Sequence, residues 1–241
     1  MNAAAVTFLI DVDNTLLDND AIQADLREQL ESDFGTQSRD RYWAIFEQLR
    51  DELGYADYLG ALQRFRISAE RDPTMNDPRF LGMSSYLVDY PFAQRLYHGA
   101  LQVLGHLRQW GPTVILSDGD VVFQPRKVQR SGLWDAVEGH VLIYIHKEHM
   151  LADVQRRYPA ERYVLIDDKL RILAAVKSLL GQRLTAVFPR QGHYALDPQQ
   201  LERYGAAADL TVGHIAELLQ YDFSISPPRP LPSARPHTGD A

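Results

Sequence analysis

The chain has 241 residues, of which 45% are apolar and 24% are charged, and its formal net charge is −7. This composition is typical of a globular protein with one large domain or two small ones. No cysteine occurs, which excludes disulfides, thiolate nucleophiles and Cys-ligated zinc or iron–sulfur sites. The acidic charge and the lack of a Lys/Arg cluster argue against a nucleic-acid partner.

The apolar stretch at residues 3–10 has no basic leader and is shorter than a membrane span or a signal sequence. We therefore expect a cytoplasmic protein that has no membrane partner.

Six short apolar runs recur along the sequence. They are residues 6–10 (VTFLI), 112–117 (PTVILS), 140–145 (HVLIYI), 162–166 (RYVLI), 183–188 (RLTAVF) and 209–212 (DLTV). Such runs predict strands that are buried on both faces. Helical patterns lie between them, the clearest at 169–180. The alternation predicts an α/β fold with a Rossmann-like, mainly parallel sheet that has helices on both faces.

The alternation is interrupted after the first strand. Residues 21–96 contain no convincing strand pattern, and apolar residues at helical spacing predict two helices there, with a loop at 73–78. We predict an inserted α-helical cap at 21–96 and an α/β core formed by 1–20 and 97–223. The proline-rich segment 224–241 is predicted to be a disordered or polyproline-like tail outside the fold.

Chemically active side chains follow four of the predicted strands. In chain order they are Asp11 and Asp13, Ser117 and Asp118, Lys147, and Asp167 and Asp168. Ligands of open parallel sheets bind beyond the carboxyl ends of the strands. Because crowded carboxylates repel one another unless a cation holds them together, we expect these acids to converge on a metal ion.

The four groups together resemble the haloacid dehalogenase (HAD) superfamily. The likeness rests on DVDNT at 11–15, SDG at 117–119, Lys147 and LIDD at 165–168, with the helical insertion after the first motif. It is closest to the members whose cap is inserted at that place. The resemblance implies an Mg²⁺-dependent hydrolase of small phosphorylated metabolites that acts through an aspartyl-phosphate.

The resemblance also implies a role for each residue. Asp11 would attack phosphorus, and Asp13 would protonate the leaving alcohol and then activate water. Thr15 would support the loop that carries both acids. The implied phosphate-binding residues are Ser117, Asp118 and Lys147. The implied Mg²⁺ ligands are Asp11, Asp13 through its main-chain carbonyl, Asp168 and Asp167. Which of Asp167 and Asp168 binds the metal directly is left open.

Asp13 favours phosphoryl transfer over carbon–halogen cleavage. A departing alkoxide needs a proton, whereas a departing halide does not, and the dehalogenases of the superfamily lack an acid at this place. The alternatives are a phosphomutase, and with less support a dehalogenase or a non-catalytic phospho-Asp signalling protein. The substrate and the oligomeric state, monomer or homodimer, are left open.

Several residues near the motifs have simpler interpretations. Asp18 and Asp20 are predicted to be ordinary helix caps. Lys127 is a rival to Lys147, but it lies inside a predicted helix, where a solvated lysine is usual, so Lys147 is preferred. Asp167 could instead pair with Lys169. No role is assigned to the histidines, which include His146, His149 and His193.

Overall fold

The fold is described from a computed structural model, which covers residues 3–69 and 79–231. Its centre is a six-stranded parallel sheet with the strand order β3-β2-β1-β4-β5-β6. The strands are β1 (Ala4–Ile10), β2 (Thr113–Asp118), β3 (Val141–Tyr144), β4 (Ala160–Ile166), β5 (Leu184–Pro189) and β6 (Leu210–Val212). Each coincides with one of the six apolar runs, so the predicted α/β sheet is confirmed.

Both faces of the sheet are buried, which is why its strands are continuous apolar runs. In β1, Phe8 and Ile10 belong to one hydrophobic cluster and Leu9 to another on the opposite face. The neighbouring strand β4 follows the same alternation, with Val164 opposite Phe8 and Leu165 opposite Leu9. Successive side chains of a strand point to opposite faces, so an apolar residue is needed at every position.

Helices of the core cover the two faces. They are α4 (Ala100–Leu107), α5 (Phe123–Arg130), α6 (Leu133–Ala136), α7 (Leu151–Arg157), α8 (Leu170–Leu180), α9 (Gly192–Ala195) and α10 (Pro198–Tyr204). The pattern at 169–180 corresponds to α8, whose Ile172, Leu173 and Val176 are buried on the sheet. In the described residues no helix is both long and apolar enough to cross a membrane.

In the described residues, three α-helices lie between β1 and the core helix α4. They are α1 (Asn19–Leu53), α2 (Tyr58–Ala69) and α3 (Phe80–Asp89), and α1 is kinked at Gly35. The described part of 21–96 contains no strand, only a single bridge between Leu17 and Leu96 at its base. The predicted loop at 73–78 lies entirely outside the described residues.

The two segments that join these helices to the core run side by side. Asp18 N–H donates to Arg95 O at 2.8 Å, and Tyr97 N–H donates to Leu16 O at 2.9 Å. The insertion therefore begins and ends at one place, directly beyond the carboxyl end of β1.

The segment 224–231, predicted to be disordered, packs on the core. Strand β8 (Arg229–Pro230) pairs antiparallel with β7 (Tyr221–Asp222), and Ser226 Oγ lies 3.0 Å from Thr185 Oγ1. The prediction of disorder is wrong for 224–231. A proline lacks only its own backbone N–H, and its carbonyl can still accept a hydrogen bond in an edge strand. The remainder of the predicted tail, 232–241, lies outside the described residues.

Candidate active site

The carboxyl edge of the sheet brings the predicted site residues together. Asp11 follows β1 directly, Asp118 ends β2, Lys147 lies shortly after β3, and Asp167 and Asp168 follow β4. The three strands β2, β1 and β4 are neighbours, and parallel strands end on the same side. The topology therefore places residues from distant parts of the chain around one point.

Three carboxylates form the centre of this site. Asp11, Asp167 and Asp168 are all buried, and one oxygen of each lies within 4.8 Å of the others. Asp11 Oδ2 and both carboxylate oxygens of Asp168 are buried without a hydrogen-bond partner. Buried unpaired carboxylate oxygens are strongly unfavourable unless a cation binds them.

Lys147 is the counterion within this cluster. Its buried Nζ donates to Asp11 Oδ1 at 2.5 Å and forms an ion pair with Asp167 Oδ2 at 2.7 Å, in a geometry that gives no hydrogen bond. Burial alone would lower the pKa of Lys147, but the carboxylates of Asp11 and Asp167 outweigh it and hold the pKa well above its ordinary value. Lys147 is therefore a permanent cation at the site.

The ammonium of Lys147 and that of the nearby buried Lys169 do not neutralise the three carboxylates together with Asp118. Burial raises the pKa of Asp167 to about 6, although Lys147 opposes the shift. Burial also raises the pKa of Asp168 well above its ordinary value, and repulsion by Asp11 adds to it. An oxygen-only donor set with excess negative charge is what a hard divalent cation such as Mg²⁺ prefers, so these residues fit the implied metal.

Asp167 has partners beyond the cluster. Its Oδ1 accepts the main-chain N–H of Lys169 at 2.8 Å. The ammonium of Lys169 lies instead 5.2 Å from the ring centre of Tyr194. The simple pairing of Asp167 with the Lys169 side chain is therefore not observed, and the carboxylate of Asp167 faces Lys147.

Thr15 ties the first motif to the last. Its Oγ1 accepts the main-chain N–H of Asp168 at 3.1 Å, and its carbonyl accepts from Gln191 Nε2 at 3.1 Å. Between Asp11 and Thr15 the chain turns tightly, with Asn14 in the left-handed region at φ 59°. Thr15 thus connects the loop that carries the two acids to the backbone of Asp168.

Ser117 and Asp118 occupy the end of β2. The carboxylate of Asp118 accepts the main-chain N–H of Lys147 at 2.7 Å, so this residue anchors the loop that carries the lysine. Burial raises the pKa of Asp118, although Lys147 opposes the shift. Ser117 is buried, and its Oγ accepts from Gln124 Nε2 at 2.9 Å.

Asp13 is held by residues that sequence reasoning set aside. Lys127 Nζ donates to Asp13 Oδ1 at 2.7 Å, and Gln124 Nε2 lies 3.3 Å from Asp13 Oδ2. The interpretation of Lys127 as a solvated lysine is wrong, because its side chain has no exposed surface. Phe123 and Lys127 are one helical turn apart on α5 and both are buried, so they lie on the same inward face of this helix.

The comparisons with known proteins bear directly on this arrangement. A protein from Burkholderia xenovorans LB400, described as a haloacid dehalogenase-like hydrolase, has a crystal structure that matches with a TM-score of 0.83. The two sequences are 62% identical over 90% of this chain and 95% of that chain. This chain belongs to the haloacid dehalogenase-like hydrolases. The family predicted from the motifs is thereby confirmed.

More distant members of the superfamily share the fold. The HAD hydrolase YfnB from Bacillus subtilis, solved with bound magnesium, is 18% identical with a TM-score of 0.57, over 89% of this chain and 97% of that chain. The L-2-haloacid dehalogenase from Xanthobacter autotrophicus is 20% identical with a TM-score of 0.57, over 88% of this chain and 96% of that chain. No family model matches the sequence, and no curated protein matches it.

Two further acids of this HAD hydrolase lie at the start of α1. Asp18 is the predicted cap: its Oδ1 accepts the N–H of Ala21 at 2.9 Å. Asp20 is not the cap but lies in the first turn of α1, where its carboxylate accepts from Asn14 Nδ2 at 3.0 Å and lies 2.7 Å from Nδ1 of His193. The interpretation of Asp20 as an ordinary helix cap is therefore wrong.

A cavity of about 560 Å³ opens above the motifs, between the inserted helices and the core. The insertion contributes Arg50, Tyr55 and Tyr58 to its lining, and the core contributes Asp13 and Asp118. The core side of the lining also includes the histidines His146, His149 and His193. Three histidines that were given no role thus line the space above the four motifs.

The inserted helices and the loop after β3 approach closely at the rim of this cavity. Gly54 ends α1 in the left-handed conformation at φ 79°, and a Cβ atom placed there would lie 2.8 Å from Cε1 of His146. Only glycine fits both the backbone angle and the space. The loop that carries Lys147 is therefore in direct contact with the inserted helices.

Proposed function

We propose that this HAD hydrolase is an Mg²⁺-dependent phosphatase of small phosphorylated metabolites that forms an aspartyl-phosphate on Asp11. The observation that carries the proposal is the position of Asp13. Its side chain is 26% exposed, it lines the cavity, and it stands two residues from the nucleophile candidate. An acid in this place is useful only when the departing group must receive a proton.

The proposed reaction has two steps. In the first, a carboxylate oxygen of Asp11 forms a bond to phosphorus, the bond from phosphorus to the alcohol oxygen breaks, and Asp13 gives its proton to that oxygen. In the second, Asp13 takes a proton from water, the water oxygen attacks phosphorus, and the bond to Asp11 breaks. Phosphate is released and both carboxylates return to their initial state.

The buried cluster supplies what the first step requires. A phosphate dianion repels a carboxylate, so positive charge must lie beside both. Lys147 provides one such charge, 2.5 Å from Asp11 Oδ1. The carboxylates of Asp11, Asp167 and Asp168 and the carbonyl of Asp13 would hold Mg²⁺. When bound, Mg²⁺ supplies the remaining charge that offsets the phosphate.

The size of the cavity supports a small substrate. Pockets for small molecules commonly have volumes of about 300–1,000 Å³, and this one is about 560 Å³. Arg50 and the histidines of the rim favour a polar or anionic leaving group. We infer a small phosphorylated molecule as the partner, with no nucleic acid and no membrane involved.

The test is a screen for phosphate release over a panel of phosphorylated metabolites, with p-nitrophenyl phosphate as a generic substrate. We expect turnover with Mg²⁺, none after chelation, and none in Asp11→Asn. Parallel assays would measure chloride release from 2-chloropropionate and isomerisation of sugar phosphates. Chloride release without phosphate release would contradict the proposal in favour of a dehalogenase, and isomerised product without free phosphate would indicate a phosphomutase.

A further inference from the structure

We infer that Lys127 is a positioning residue, which holds the carboxylate of Asp13 toward the leaving group of the substrate. The inference rests on the proposed phosphatase function and extends it to a residue outside the four motifs. Lys127 lies on α5, which follows the SDG motif, and its ammonium reaches the loop of the first motif. No other contact joins this helix to Asp13 except that of Gln124, one turn earlier, within the described residues.

The geometry fixes the carboxylate of Asp13 on both sides. Lys127 Nζ lies 2.7 Å from Oδ1 of Asp13, and a second acceptor, Asn19 Oδ1 at 3.1 Å, fixes the direction of the ammonium. Gln124 Nε2 reaches the other oxygen at 3.3 Å. Gln124 packs directly against Gly119. A Cβ atom at position 119 would lie 2.5 Å from Cβ of Gln124, so this packing requires glycine.

The burial of Lys127 is difficult to explain by stability alone. Taking an ammonium out of water is expensive, and a buried ion pair is often no more stable than an apolar pair of the same volume. The nearest alternatives are weak, because the ring centres of Phe123 and Tyr58 lie 5.4 and 6.0 Å from Nζ. A charged group retained at this cost, and directed at one carboxylate of the site, indicates a functional constraint.

That constraint is orientation. Asp13 is on a tight turn and its side chain is partly exposed to the cavity, so without a partner its carboxylate would be free to rotate. A general acid must be held close to its productive geometry to protonate a departing oxygen. Lys127 therefore affects the step in which the leaving group departs, and it touches neither the substrate nor the reacting atoms.

The experiment compares Lys127→Met with the wild type on a series of substituted phenyl phosphates, from phenyl phosphate to p-nitrophenyl phosphate. The measured quantity is kcat/KM, which reports formation of the aspartyl-phosphate. Phenolate needs a proton much more than p-nitrophenolate does. We expect kcat/KM to fall about 10- to 100-fold for phenyl phosphate and less than about 3-fold for p-nitrophenyl phosphate.

Two variants calibrate this result. Asp13→Asn gives the loss that complete removal of the acid produces, and Lys127→Met combined with Asp13→Asn is expected to show no further loss. Lys177→Met is the matched control, because Lys177 is a surface lysine of α8 paired with Asp209. It should leave kcat/KM unchanged for both substrates. If Lys127→Met does not fold, Lys127→Gln carries the same test.

Three outcomes would overturn the inference. Equal losses for the two substrates would assign Lys127 a general structural role, and a rise in KM alone would assign it to substrate binding. The third outcome is a crystal structure of Lys127→Met in which the Asp13 carboxylate keeps its orientation. If the wild type releases no phosphate from any substrate, the proposed phosphatase function is wrong. The crystal structure of Lys127→Met still shows whether Lys127 orients the carboxylate of Asp13.

Discussion

Thr15 Oγ1 accepts the main-chain N–H of Asp168 at 3.1 Å, across a sequence separation of 153 residues. Both residues are fully buried, so no water is available to replace this bond. The bond holds the backbone of the metal-binding candidate against the loop of the first motif. It links the two halves of the site, which are supplied by β1 and β4.

The first prediction concerns this bond. Thr15→Val keeps the shape of the side chain but leaves the buried N–H of Asp168 without an acceptor. We expect the free energy of unfolding to fall by about 1–3 kcal/mol, measured by denaturant titration, together with weaker Mg²⁺ binding. Thr15→Ser keeps the hydroxyl and serves as the control. A Thr15→Val variant as stable as the wild type would show that the hydrogen bond does not contribute to stability.

The fold and the four motifs were predictable because their physical causes are local. A strand buried on both faces is a continuous apolar run, and 162–166 could be recognised without knowledge of its neighbours. The convergence of Asp11, Lys147 and Asp168 also follows from a simple rule, since parallel strands present their carboxyl ends on one side of a sheet. The order of the motifs then gave the family.

The contacts that support the site were not predictable in the same way. Lys127 was interpreted as solvated because most helical lysines are, and only the fold shows that Asp13 lies beneath it. His193 follows β5, where no motif drew attention, yet it meets Asp20 at the base of the insertion. Both contacts depend on how loops from different strands fit together, which periodicity does not encode.

A second prediction concerns the charge of the carboxylate cluster. Asp168→Asn removes a buried charge whose carboxyl pKa lies well above the ordinary value, mainly through burial. Because burial disfavours the ionised form when no metal is bound, we expect the metal-free variant to be more stable than the wild type. Thermal unfolding of the variant and of the wild type, with and without Mg²⁺, measures this difference in stability.

The same variant should lose its response to the metal. Wild-type Tm is expected to rise with Mg²⁺, whereas Tm of Asp168→Asn should not change. Asp135→Asn, on the exposed surface of α6, is the control and should behave as the wild type within about 0.5 kcal/mol. A metal-free Asp168→Asn that is less stable than the wild type would show that the carboxylate has a structural partner.

A third prediction concerns pH. Burial raises the pKa of Asp167 to about 6 in the folded protein, although Lys147 opposes the shift. Between about pH 4 and pH 6 the folded state therefore binds more protons than the unfolded state at this residue, and its contribution to stability decreases as the pH rises. Protons and Mg²⁺ compete for the same carboxylate, so metal binding should strengthen over that interval.

The measurement is the Mg²⁺-induced change in Tm from about pH 5 to about pH 7.5. We expect a small change at the acidic end and a larger one near neutrality. Asp168→Asn should give a flat response at every pH and controls for effects of Mg²⁺ elsewhere on the surface. A wild-type shift that is largest at about pH 5 would contradict the assignment of Asp167 to the metal site.

The last prediction concerns Lys147, whose ammonium is the counterion of Asp11 and Asp167. In Lys147→Met these two buried carboxylates lose their counterion, and removing one partner of a buried pair is typically destabilising by about 3–5 kcal/mol. The surface control Lys177→Met should change the free energy of unfolding by less than about 1 kcal/mol. The loss in Lys147→Met should shrink below about pH 6, because a protonated Asp167, whose pKa burial raises to about 6, no longer needs a counterion. Denaturant titrations at pH 5 and pH 7.5 test both statements, and a pH-independent loss would mean that Lys147 stabilises the fold through the packing of its chain and not through its charge.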